Sequence, residues 1–135
     1  MGSPGRTIAL LHQVAESRES PASLAPWIAE DAVFHSPVMH RPQEGRDLVM
    51  QYLMAALQLF SQHGFRYVRK IVDGGEAALE FVAEIDGIEI NGLDLISLSD
   101  DGKIRDFKVM VRPYKAIEIV RTRMLAQLEA AKGGR

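Results

Sequence analysis

The spacing of apolar positions changes along the chain, from a helical period in the first half to a strand period in the second. Apolar residues at helical spacing predict one helix from Pro4 to about Arg18 and a longer helix from Gly45 to about Gln62. Between them, the two prolines of "ESPASLAPWIAED" predict a short helix bounded by turns. The segment "AVFHSPV" then predicts a short strand that ends at Pro37, and "MHRPQEG" predicts a loop.

After the second helix, apolar and polar residues alternate, which is typical of half-buried strands. The alternation predicts four strands, in "FRYVRKIV", "AALEFVAEI", "IEINGLDLISL" and "IRDFKVMVR". Asp86-Gly87 predicts a two-residue type I′ turn between the second and third of these strands. A closing helix is expected from Tyr114 to about Ala131. Strands that are grouped apart from helices predict one α+β domain over residues 1–135, with a mostly antiparallel sheet curved into a cone beneath the helices.

The strand Ile88–Leu98 carries one carboxylate on an otherwise apolar face. Its even positions are Ile88, Ile90, Gly92, Asp94, Ile96 and Leu98. An unpaired, ionised carboxylate in such a place is costly, so Asp94 is expected to bind a proton or a partner. A neutral acid can donate a hydrogen bond to a carbonyl group, and we expect a functional role. The alternative is a structural aspartate held by backbone amides or by an arginine such as Arg6 or Arg112.

Composition and charge narrow the classes of function. The chain has 135 residues, of which 47% are hydrophobic and 25% charged, and a net charge of −2 gives no reason to expect binding to nucleic acid or to an anionic membrane. Cysteine is absent, and no apolar run is long enough to span a bilayer. The N-terminus lacks the pattern of a signal peptide, so we expect a cytoplasmic protein. The histidines are scattered, and no metal or other cofactor is expected.

Three segments carry a resemblance to a known family. "WIAEDAVFHSPV", "EGRDLVMQYL" and "GLDLISLSDDGKIRDFKVMVRP" occur in an order and spacing that resembles the nuclear transport factor 2-like superfamily. Within it, the chain resembles the SnoaL-like proteins and ketosteroid isomerase, from about Ile8 to Met124. The resemblance implies a cystatin-like α+β roll with an enclosed hydrophobic pocket, and frequent homodimers. It places Ser36 where ketosteroid isomerase has its base, His12 where it has a helix tyrosine, and Asp94 where it has a protonated aspartate.

His12 and Asp94 are therefore the predicted catalytic residues. If the two face each other, the carboxylate orients the imidazole, which then acts as a base or acid near neutral pH. The alternative is a histidine at the helix margin that hydrogen bonds to water. His35 and Ser36 are neighbours on a strand, so only one of them enters the pocket; the resemblance favours Ser36, and a bulge at Pro37 would turn His35 inward. The predicted pocket wall comprises Trp27, Phe34, His35, Ser36, Tyr52, Phe81, Ile90, Phe107 and Val109.

These observations predict a protein that binds a small apolar molecule in an enclosed pocket, with isomerase-, cyclase- or hydratase-like acid–base chemistry. The alternative is a non-catalytic ligand-binding or dimerisation module of the same fold. A protein–protein association domain without a cavity is a third class. The odd face of Ile88–Leu98 mixes Leu93 and Leu95 with polar residues, which suits contact with a second copy through the sheet.

Overall fold

The computed structural model describes residues 4–16 and 21–133, which form helices packed on a single sheet. The helices are α1 (Pro4–Glu16), a 3-10 helix (Pro21–Trp27), α2 (Arg46–Ser61) and α3 (Tyr114–Gly133). The strands are β1 (Ile28–His35), β2 (Gln43–Glu44), β3 (Arg66–Asp73), β4 (Glu76–Ile85), β5 (Ile88–Leu98) and β6 (Ile104–Arg112).

The sheet has the strand order β2-β1-β6-β5-β4-β3. Every neighbouring pair is antiparallel except β1 and β6, which are parallel. Irregularities in register occur in β1 between Ile28 and Val33, in β3 between Tyr67 and Arg69, and in β6 between Ile104 and Asp106. Such irregularities bend strands. The α+β class and the curved, mostly antiparallel sheet are confirmed.

The turn between β4 and β5 forms as the sequence predicts. Asp86 has a φ of 53° and Gly87 a φ of 77°, and a type I′ turn requires positive φ at both of its central residues. The tight turn fixes the register of the hairpin, so that Phe81 lies opposite Gly92 and Leu79 lies opposite Asp94.

The structure differs from the prediction at the start of β1 and in the loop that follows it. β1 begins at Ile28, four residues before the predicted Ala32, because Ile28 also pairs with Ile104 of β6. Within the predicted loop, Gln43 and Glu44 form the short strand β2 beside β1. The predicted end of the first helix near Arg18 lies outside the described residues.

The core lies between the helices and the inner face of the sheet, by which we mean the face toward the helices. Ile90, Ile96 and Leu98 of β5 are buried there, and Asp94 lies among them. On the outer face, Leu95 is exposed and Leu93 half-buried, so the alternation predicted for β5 is confirmed. In the part of the chain that the structure describes, no helix has the length and apolarity needed to cross a membrane.

Candidate functional site

A buried pair of polar side chains, Tyr67 and Asp94, occupies the inner face of the sheet. The Tyr67 hydroxyl donates a hydrogen bond to Asp94 Oδ2 over 2.7 Å, and the two residues are 9% and 6% exposed. Asp94 lies in the middle of β5, and Tyr67 lies on β3, with β4 between them. Inward residues of two strands therefore meet across a third.

Burial changes the protonation of both groups. It raises the pKa of Asp94 to about 7, although the hydrogen bond from Tyr67 acts in the opposite direction. Burial also raises the pKa of Tyr67 well above 10, and the negative charges of Asp94 and Glu16 add to that effect. The Tyr67 hydroxyl therefore stays protonated at neutral pH, whereas the protonated and ionised forms of Asp94 are both populated near pH 7.

The alternative for Asp94 is a structural role in which backbone amides or an arginine bind the carboxylate. Its hydrogen-bond partner is a neutral phenol, whereas Arg112, one of the arginines considered for it, donates to Asn91 Oδ1 over 3.3 Å. A phenol cannot compensate a full negative charge as a guanidinium can. The environment thus favours the protonated acid, as the apolar face of β5 predicts.

Asp94 adjoins a small cavity of about 30 Å³, which is room for about two water molecules. Its wall is almost entirely apolar and is formed by the sheet, by α2 and by α3. The lining residues are Phe34, Ser36, Pro37, Leu53, Ala56, Leu57, Phe60, Phe65, Phe81, Asp94, Phe107, Val109, Val120 and Met124.

Several predicted wall residues lie on this cavity, namely Phe34, Ser36, Phe81, Phe107 and Val109. Trp27, Tyr52 and Ile90 lie outside its lining. The Tyr52 ring packs beside Phe34, with 6.2 Å between the ring centroids. Ile90 is fully buried elsewhere on the inner face, and Trp27 is half-buried at the end of the 3-10 helix.

His35 also lies outside the cavity, because the bulge that would turn it inward does not form at Pro37. Phe34 and Ser36 point into the cavity, so strand alternation directs His35 to the outer face. There His35 Nε2 lies 2.8 Å from Asp106 Oδ1, and both side chains remain partly exposed.

His12 contacts Glu16 and Lys70 rather than Asp94. Its Nε2 lies 2.9 Å from Glu16 Oε2, and its Nδ1 accepts a hydrogen bond from Lys70 Nζ over 2.7 Å. The expected His12–Asp94 pair is replaced because α1 packs against the edge strand β3 and not over the middle of β5. The His12 ring instead meets the edge of the Tyr67 ring, 5.3 Å between centroids.

The polar residue that sequence reasoning missed is Tyr67. Its signal is the pair Phe65 and Tyr67, two aromatic residues at strand spacing ahead of a charged run. Both belong to an aromatic cluster: Phe65 lies 4.9 Å from Tyr67 and 4.9 Å from Phe81, measured between ring centroids. Phe81 in turn lies 5.4 Å from Phe60. Phe60, Phe65 and Phe81 of this cluster line the cavity.

Comparison with known proteins gives a family and a set of similar structures. The family model described as "SnoaL-like domain" matches residues 9–107. A steroid delta-isomerase from Pseudomonas aeruginosa is 32% identical, with a TM-score of 0.90 over 98% of this chain and 96% of that one. A cystatin-like protein from Silicibacter pomeroyi, described as uncharacterized and conserved in bacteria, is 36% identical, with a TM-score of 0.80 over 90% of this chain and 84% of that one.

A more distant structure shares the fold alone. It is a nuclear transport factor 2-like protein of unknown function from Mesorhizobium loti, 23% identical, with a TM-score of 0.70 over 82% of this chain and 91% of that one. No curated protein matches the chain.

Proposed function

Because the chain belongs to the SnoaL-like domain family, we propose that it binds a small, mostly apolar molecule in the cavity beside Asp94. The observation that carries this proposal is an acid with a pKa of about 7 that adjoins an apolar cavity. Asp94 Oδ2 accepts the hydrogen bond from Tyr67, so a protonated Asp94 has its own proton to donate to a guest.

The lining limits the chemistry of that guest. Apart from Asp94, the polar side chain in the wall is Ser36, whose Oγ already accepts a hydrogen bond from the backbone of Val38. An ionic ligand would lose its hydration without finding a countercharge, which is costly. A neutral molecule with one acceptor, such as a carbonyl oxygen, would instead pair with the Asp94 proton.

Acid–base catalysis is a second candidate function. A group that titrates near neutrality exchanges protons readily at that pH, and the isomerase named among the similar structures makes proton transfer worth testing. Ser36 occupies the position where the resemblance places a base, and a serine hydroxyl is not a base at neutral pH. We propose Asp94 as the proton donor, and the predicted base His12, whose nitrogens contact Glu16 and Lys70, as a residue that positions Tyr67 through contact between their rings.

We also propose that two copies associate through the outer face of the sheet. Ile71, Leu95 and Met110 are 58%, 37% and 43% exposed on this face. Ile71 and Met110 line a shallow groove whose other lining includes Arg69, Glu80 and Arg112. An apolar centre with charges of both signs around it suits self-association. The molecular mass measured by light scattering would decide between a monomer and a dimer.

The test of ligand binding uses a neutral, fluorescent aromatic ketone such as Prodan. If the protonated acid donates to the ketone, the dissociation constant rises about tenfold for each pH unit above pH 7, as the carboxyl ionises. Asp94→Asn keeps the shape and an N–H donor but cannot ionise, so its dissociation constant stays constant over the same range.

Asp106→Asn is the matched control, since Asp106 lies on the outer face, and it is expected to bind Prodan as the parent does. Binding that is independent of pH in the parent, or lost equally in both variants, would contradict the role of Asp94.

A second experiment distinguishes acid–base catalysis from ligand binding alone. It follows deuterium exchange at the α-carbon of a bound methyl ketone by proton NMR. Exchange that Asp94→Asn abolishes indicates catalysis, and binding without exchange indicates a binding protein.

A further inference from the structure

The cavity is too small for the molecule that we propose it binds. Its volume of about 30 Å³ is far below the 300 Å³ or more that is typical of ligand pockets. A guest with a carbonyl group and an apolar body therefore enters only if one wall moves. The walls are the sheet, α2 and α3, and the three are held in place to different degrees.

The sheet and α2 are fixed walls. β5 lies in the interior of the sheet and is hydrogen bonded along its length to β4 and β6, and separating those ladders would break the fold. α2 packs against α1, the 3-10 helix, β1, β2 and α3. Its buried residues Val49, Leu53, Ala55, Leu57, Leu59 and Phe60 lie on several sides of the helix.

α3 is held by a narrow seam. Its fully buried residues are Ala116, Val120 and Met124, spaced four apart along one side, and two of these, Val120 and Met124, line the cavity. The side of α3 away from the sheet is exposed, including Leu125 at 51%. Ile119 and Leu128 also pack against the core but are only partly buried. For a helix of 20 residues, three buried and two partly buried apolar side chains, one of them a flexible methionine, bury little area.

Two polar contacts hold the outer margins of α3. Arg123 pairs with Asp86 in the turn between β4 and β5. Gln127 Nε2 donates to Gln58 Oε1 of α2 over 3.2 Å. All four side chains are partly or largely exposed, so water replaces these contacts at small cost when they break.

We infer that α3 is a lid: it swings away from β5, β6 and α2 as a unit, opens the cavity beside Asp94, and closes through the seam and the Arg123–Asp86 contact. This inference rests on the proposed function for the identity of the guest. The opening itself is a property of the empty protein and is measurable without a ligand.

The test locks α3 to α2. Because the chain has no cysteine, Gln58→Cys and Gln127→Cys supply the only thiols, and a short bis-maleimide bridges them. Once α3 leaves the core, it is an isolated helix of marginal stability in water, so its amides exchange from the open state. Hydrogen exchange of the ligand-free protein, read by mass spectrometry, should show α3 opening at least about tenfold more often than β5 before bridging, and no more often than β5 afterwards. The rate of Prodan uptake should fall at least about tenfold on bridging.

The control is a bridge between Gln51→Cys and Gln58→Cys, two exposed positions on α2, which cannot restrain α3. Relative to the unbridged form of the same variant, this bridge should leave both exchange and uptake unchanged. Exchange of α3 as slow as that of β5 before bridging, or uptake that the α2–α3 bridge does not slow, would overturn the lid. If no form binds Prodan, the proposed function fails, while the exchange of α3 still decides whether the helix opens.

The Arg123–Asp86 contact has its own matched pair of variants. Arg123→Ala should raise the opening frequency of α3 several-fold, because it removes one of the two polar tethers. Arg121→Ala, an exposed position on the same helix, should not change it. Equal effects of the two variants would overturn the assignment of this contact to closure.

Discussion

Two aspartates on neighbouring strands show how the two faces of one sheet treat the same chemical group. Asp94 on β5 accepts a hydrogen bond from a tyrosine over 2.7 Å. Asp106 on β6 lies 2.8 Å from a histidine. Each carboxylate thus has one aromatic partner at nearly the same distance. They differ in surroundings, because Asp94 faces the core and Asp106 faces outward.

The surroundings of a carboxylate, more than its hydrogen bond, decide what it can do. Asp94 is 6% exposed, and the loss of water raises its pKa to about 7. The side chains of His35 and Asp106 are 30% and 39% exposed, so water and salt screen that pair. Asp94 therefore has a pKa near neutrality and adjoins a cavity.

The largest expected effect is the pH dependence of stability that Asp94 imposes. Its pKa in the folded protein, about 7, lies above its ordinary value of 3.8. Its contribution to stability is therefore complete below about pH 4 and is lost as the pH rises through 7. The parent should lose roughly 4 kcal/mol relative to Asp94→Asn between those limits, measured by urea unfolding at a series of pH values.

The same measurement on Asp106→Asn sharpens the contrast between the faces. Taking the difference between parent and variant cancels the titration of groups that both proteins share. For Asp106→Asn this difference should stay within about 1 kcal/mol over the whole range. A difference for Asp94→Asn that is equally small would show that the inner carboxylate is not desolvated.

The second effect tests how closely the inner face is packed. A Cβ atom added at Gly92 would lie 2.1 Å from Phe81 Cζ, so Gly92→Ala must displace a buried ring that lines the cavity. We expect a loss of about 2 to 3 kcal/mol in the free energy of unfolding, measured by urea denaturation.

The control for Gly92→Ala is Gly5→Ala on α1, where an added Cβ meets nothing within 4 Å. This change should be neutral, or stabilising by up to about 1 kcal/mol, since alanine favours helix more than glycine does. A neutral Gly92→Ala would mean that the aromatic cluster yields easily and that the cavity can dilate at the sheet.

A smaller effect concerns the partner of Asp94. Tyr67→Phe removes the hydroxyl whose hydrogen bond lowers the pKa of Asp94, so that pKa should rise above 7. The protein should also lose about 1 kcal/mol of stability, the usual contribution of one hydrogen bond. The titration of the Asp94 carboxyl carbon, followed by carbon-13 NMR in parent and variant, gives the direction directly. A fall in the pKa would contradict the assignment of Tyr67 as donor.

Much of this architecture follows from local patterns. The alternation in β5 predicts both the burial of Asp94 and the exposure of Leu95, because successive side chains on a strand take opposite faces. The same rule directs His35 outward once Ser36 points inward. The Asp86-Gly87 turn is equally local, since it depends on the φ angles of two adjacent residues.

The partners of these residues depend on packing between distant segments, which no local pattern contains. His12 lies at the expected margin of α1, but which strand it meets depends on where α1 crosses the sheet. It meets the edge strand β3, with Lys70 as its neighbour. Tyr67 reaches Asp94 across β4, a relation set by the strand order. Single-sequence reasoning thus finds the buried acid and misses the phenol bound to it.

The smallest expected effect belongs to the outer pair. His35→Gln and Asp106→Asn should each change the free energy of unfolding by less than about 1 kcal/mol, because half-exposed ion pairs exchange protein contacts for water at little net cost. The coupling between them, from a double-mutant cycle in urea, should be of the same size and should shrink further when salt is added.

A coupling above about 2 kcal/mol that salt does not reduce would mean that this pair is shielded from water, as it would be in an interface between two copies. The size of the coupling therefore reports whether the outer face is open to water, and repeating the cycle at several protein concentrations would separate an effect of association from one within a single chain.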